Sequence, residues 1–140
     1  MRDVLDLHTH TIASGHAYNT MMEMIHEAQN KGLDVYGITE HAPRMKGTCT
    51  DFYFHNLKVV PRKHGDLELL LGVELNILDE YGTVDLEEPH LGDMDVTIAS
   101  LHKPCIQPGS REYNRFAVPY LRQAGGREME LSYLLMKQIL

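Results

Sequence analysis

Four short apolar segments of this chain each end on a residue that can bind a metal ion, and that repetition constrains the fold more than any other feature. Residues 4–7 run into His8 and His10 in DLHTHT, and residues 33–39 run into Glu40 and His41 in ITEHAP. Residues 67–73 end on Glu74 in LGVELNI, and residues 96–99 lead to His102 in IASLHKP. The segments read as strands, and the stretches between them are long enough for crossovers. That pattern predicts an α/β fold with a parallel sheet or barrel. In such folds the strand C-termini line the active-site mouth, so groups far apart in sequence are expected to meet in one pocket. The run LELLLGVE is almost wholly apolar, as expected for a strand covered on both faces.

The intervening segments carry their own signals. Residues 20–31 predict a helix: Thr20 and Glu23 form a capping box, Met21, Ile25 and Ala28 form an apolar stripe, and Gly32 marks the stop. Residues 52–64 are ambiguous, with Pro61 interrupting any long helix. Residues 79–93 read as a loop. No apolar run reaches the roughly 18 residues of a membrane span, and no signal-peptide core precedes the first strand. A formal charge of −7 argues against a nucleic-acid surface. Two cysteines, Cys49 and Cys105, make no disulfide framework, so a cytoplasmic location is expected.

Nine histidines occur in 140 residues, none after His102. Residues i and i+2 of an extended chain face the same way, so His8 and His10 can chelate one ion. His16 lies in the following loop, where it can fold back over the same mouth. Imidazole and carboxylate donors suit zinc, manganese or iron better than magnesium or calcium. A glutamate among histidines can bridge two ions, and such a pair activates water and clamps a phosphoryl oxygen. Arg44 and Lys103 follow ligand motifs closely and are candidate contacts for a substrate phosphate. His26 reads as a helix-surface residue, and His55, His64 and His90 as surface or structural ones. Cys105 reads as a small buried apolar residue.

The motifs DLHTHTIASGHAYNT, ITEHAP, GVELNI and SLHKP, in this order and approximate spacing, resemble those of the PHP (polymerase and histidinol phosphatase) superfamily, and most of all its YcdX-type phosphatases. The resemblance covers roughly residues 3–115. It implies a distorted (β/α)7 barrel with a trinuclear zinc or manganese site and hydrolysis of a small phosphoester. Carried over by residue, it assigns His8 and His10 to one ion, with Glu74 bridging to a second. His102 joins that second ion, and His16 and His41 hold the third. Asp6 is expected to orient an imidazole, and Glu40 stands where the family usually has Asp.

The family pattern also needs a later histidine and a later Asp-x-His. No histidine follows His102 and no aspartate follows Asp95, so each of the three ion sites lacks one ligand. Residues 1–118 therefore read as the N-terminal portion of a PHP-like metal-binding domain, with parallel strands and an incomplete barrel. Residues 119–140 read as a divergent, helical tail. Three accounts stay open: a fragment or frameshifted form of a longer barrel, a half-barrel that pairs with a copy of itself, and a decayed relative without chemistry. The rival functions are an amidohydrolase-like metal hydrolase and a catalytically silent truncated module.

Overall fold

The computed structural model describes residues 4–79, 81–87, 89–102, 105 and 131–133. Its centre is β4 (Leu67–Asn76), the most buried strand, with only Glu68 exposed along its length. The expectation of a strand covered on both faces therefore holds. β2 (Val35–His41) pairs in parallel on one side of β4, and β5 (Val96–Leu101) pairs in parallel on the other. β1 (Leu5–Asp6) continues the parallel order beside β2. Short β3 (Lys63–His64) returns antiparallel onto the start of β4. The order β1-β2-β4-β5 makes a parallel half-barrel, as the sequence pattern predicts.

α1 (Met21–Asn30) starts as expected. Thr20 and Glu23 form a reciprocal capping box, and Gly32 follows the helix at a φ of 68° that glycine tolerates without strain. Its buried stripe, Ile25 and Ala28, packs into one core with Tyr36, Ile38, Leu69, Leu71 and Val73 of the sheet. The ambiguous stretch resolves into α2 (Asp51–Asn56), a 3-10 turn at Leu57–Val59, and β3. Phe54 and Leu57 anchor that segment in the core. A 3-10 turn at Leu91–Asp93 interrupts the predicted loop.

Residues 119–140 read as a helical tail in the sequence, but Leu131–Tyr133 form β6, antiparallel to β5. The free side of β5 offers unpaired backbone groups, and that pairing outweighs local helical preference at these three residues. The rest of that segment lies outside the described residues. Among the described residues no helix is long and apolar enough to cross a membrane.

The sheet's tightest approach is at Gly72, paired with Val96. A Cβ there would lie 2.0 Å from the Val96 carbonyl oxygen. Gly72→Ala should therefore cost about 1–3 kcal/mol through overpacking, seen as a lower urea midpoint at unchanged slope. An unchanged midpoint would show that β4 and β5 are not so closely apposed.

Candidate metal centre

The parallel register brings the strand ends together. His41, the last residue of β2, stands directly beside Glu74 on β4. His102 follows the end of β5, and His8 and His10 follow β1. The result is one carboxylate ringed by four imidazoles. Glu74 is 1% exposed. Its Oε2 lies 2.9 Å from His41 Nδ1 and 3.2 Å from both His8 Nε2 and His10 Nε2, while Oε1 lies 3.4 Å from His102 Nε2. Oε1 also accepts from the Ser100 hydroxyl at 2.5 Å. Burial pushes the Glu74 carboxyl towards its neutral form, but the facing imidazoles of His10, His102, His41 and His8 outweigh that and hold it far below the usual carboxylate range. Burial also lowers the His41 pKa, which favours the neutral ring that can act as a ligand.

Closeness here is not hydrogen bonding. His41 Nδ1, Glu74 Oε2 and His102 Nε2 are buried and, among the described residues, lack a hydrogen-bond partner of acceptable geometry despite these short separations. Buried polar groups ordinarily find partners. Lone pairs that converge on shared points, and not on each other, fit a donor set built for cations. Two overlapping groups meet that description: His8 with His10 and Glu74, and His41 with Glu74 and His102. His16, although exposed, reaches over the mouth, and its Nε2 lies 2.6 Å from His41 Nε2. Two ring nitrogens at that distance need a proton or a cation between them. His41 therefore faces both Glu74 and His16, whereas the family resemblance assigns it to the third ion alone.

Two supports behind the ring set the tautomers. The Ser14 hydroxyl donates to buried Glu40, which leaves its lone pairs to accept from the His41 backbone N–H at 3.1 Å and from His10 Nδ1 at 3.2 Å. His10 thereby keeps its proton on Nδ1 and turns Nε2 to Glu74. On the other side, the Asn76 amide donates to Asp85 at 2.6 Å and to the Ala42 carbonyl. Its carbonyl oxygen is thus free to accept from His102 Nδ1 at 2.6 Å, which turns His102 Nε2 to Glu74. Second partners of this kind fix ligand orientation and basicity. Glu40 also accepts from the Thr11 backbone N–H and hydroxyl, so it binds the 11–14 turn to β2. Asp6 meets His8 at the backbone N–H, at 3.4 Å.

Ser14, Asn76, Asp85 and Ser100 carried no signal in the sequence. Two of them, Asn76 and Ser100, lie opposite each other at the ends of β4 and β5, and a polar residue two positions from a strand-end ligand, after Glu74 or before His102, is the one cue that could have marked them. The other sequence candidates are more scattered. Exposed Arg44 donates its backbone N–H to Asp85, and its side chain lines a cleft of about 530 Å³ with Asp51, Asp85, Glu87 and His90. None of the six clustered ligands lines that cleft. Lys103 lies outside the described residues. Cys105 sits against Asn76 Oδ1 at 3.0 Å, and burial pushes its thiol up to about 11.

Fold and donor set together define an α/β protein whose strand mouth carries a histidine–glutamate cluster able to hold divalent metal. The chain belongs to the PHP domain family, whose model matches residues 6–134. It is 48% identical over 118 residues to a probable phosphatase of Clostridium novyi, covering 84% of this chain and 48% of the relative. It is 54% identical over 106 residues to a probable phosphatase of Caldicellulosiruptor saccharolyticus, covering 76% and 44%. A probable phosphatase of Clostridium botulinum is 51% identical over 118 residues, covering 84% and 49%. The chain spans about half the length of the curated relatives it matches.

The hydrogen-bond supports make a direct prediction. In mildly alkaline buffer without metal, nitrogen-detected NMR should find His10 and His102 as Nδ1–H tautomers, and Ser14→Ala should release His10 but not His102. An Nε2–H tautomer at both rings in the parent chain contradicts the arrangement.

Proposed function

We propose that this chain carries the N-terminal, ligand-rich part of a metal-dependent phosphoesterase site acting on a small phosphorylated molecule. The observation that carries it is the buried Glu74 carboxylate with four imidazole nitrogens within 3.4 Å and orphaned lone pairs among them. The relatives' description as probable phosphatases supports the same reading. His8, His10 and Glu74 would hold one ion, and Glu74 with His41 and His102 a second. His16 with His41 offers a third position with fewer donors. Mixed nitrogen and oxygen donors suit zinc or manganese. When bound, such ions supply Lewis-acid activation of water and charge neutralisation at a phosphoryl group.

The chain's own residues perform the positioning. Glu74 brings fixed negative charge to the centre of the cluster. Ser14 and Asn76 keep the Nδ1 protons of His10 and His102 away from it, so that the Nε2 lone pairs stay available. The −7 charge disfavours nucleic acid as substrate. Cys49 and Cys105 are free thiols, which suits the reducing cytoplasm. A second reading is a metal-binding module without turnover. Pairing with a second copy is the route by which two such half-barrels would cover the outer side of β1, which ends the strand order among the described residues.

Metal analysis and p-nitrophenyl phosphate hydrolysis test the proposal together. The parent should bind zinc or manganese and turn over, with activity lost to chelator and restored by metal. Glu74→Ala should lose most of the metal and all turnover while remaining folded. If Glu74→Ala keeps the parent's metal content, the central role of Glu74 is wrong. Stoichiometric metal without turnover in the parent selects the silent module.

A further inference from the structure

A second group of donors stands apart from the Glu74 cluster and shares no residue with it. His55 on α2 meets His90 and Asp93 around the 3-10 turn, and each offers a ligand atom within 4.8 Å of the others. The local geometry explains the convergence. His90 is the residue that opens the turn Leu91–Asp93, and the Asp93 backbone N–H bonds back to the His90 carbonyl. Side chains three apart eclipse in a 3-10 turn, so His90 and Asp93 present donors on one side. His55 closes on them from α2, with its ring 5.8 Å from that of His90 and nearly perpendicular to it.

The group has an unmet need. His90 Nδ1 is buried and has no hydrogen-bond partner among the described residues. A buried ring nitrogen in that condition is costly unless something binds it. The surroundings favour a cation: Asp93 lies in the group, and Asp51 and Glu87 line the cleft that His90 borders. Opposing this, Lys58 Nζ lies 2.9 Å from His55 Nε2. That lysine is exposed, and it is the competitor an ion has to displace or bypass.

We propose that His55, His90 and Asp93 form an accessory site for a zinc-class divalent ion, which staples α2 to the turn before β5. Two imidazoles and one carboxylate are a donor set typical of zinc, with a position left for water. The two imidazoles stand thirty-five positions apart in sequence, so the bound ion cross-links two surface segments and stabilises the folded chain by mass action. The site also fixes His90 at the border of the cleft that Arg44 lines.

The experiment is zinc titration of the full chain, following stoichiometry and the imidazole NMR signals. His55 is exposed, so His55→Gln leaves the core untouched, and Asp93→Asn serves as the second variant. The expected result is one molar equivalent of zinc fewer in each variant than in the parent. The His55 and His90 ring signals of the parent should move together on adding zinc, and in Glu74→Ala they should still do so. The same stoichiometry in parent and His55→Gln overturns the proposal, as do ring signals of His55 and His90 that stay fixed at saturating zinc. Failure of the Glu74 cluster would appear separately, as unchanged metal content in Glu74→Ala.

Discussion

A carboxylate with almost no contact with water is the constraint on which this structure turns. Removing an ion from water costs several kcal/mol even after relaxation, and Glu74 is 1% exposed. The Ser100 hydroxyl donates to it, and four imidazole nitrogens lie within 3.4 Å, so a cation bound among them would offset its charge. Position explains how so many partners reach one residue. β4 lies at the centre of the half-barrel, so β2 brings His41 from one side and β5 leads to His102 on the other. The short β1 delivers His8 and His10 across the top. A glutamate at the end of an edge strand would have neighbours on one side only.

The cluster is held from behind as firmly as it is assembled in front. Glu40 and Ser14 lock the turn after His10, while Asp85 and Asn76 lock His102. Glu40, Ser14 and Asn76 are buried and Asp85 is half-buried, and their hydrogen bonds are committed, so the ring nitrogens facing Glu74 have little freedom to turn away. Because the ligands come from four separate segments, any ion they hold also ties those segments together. Metal affinity and folding are then linked quantities.

Much of this was legible in the residues. His8, His10, His41, Glu74 and His102 stand out because each ends an apolar run, and strand ends are where parallel sheets put their sites. α1 was legible from Thr20, Glu23 and Gly32, since caps act locally. The supports were not legible. Ser14, Asn76 and Asp85 are ordinary polar residues whose roles depend on partners far along the chain, such as the 26-residue separation between His102 and Asn76. Glu40 could be noticed but not understood, because its partners Thr11 and Ser14 are fixed by the fold of a loop. Leu131–Tyr133 went against their helical pattern because sheet pairing with β5 is a tertiary effect that no local window contains. His55 and His90 read as surface residues, and only the packing of α2 against the 91–93 turn joins them to Asp93.

The most direct test of the central claim is anomalous diffraction from crystals of this chain grown with zinc or manganese. The account predicts strong peaks flanking the Glu74 carboxylate, one within bonding distance of His8 and His10 and another within bonding distance of His102. Crystals saturated with metal that show no peak beside Glu74, with the four imidazoles hydrogen-bonded to protein or water instead, would contradict it.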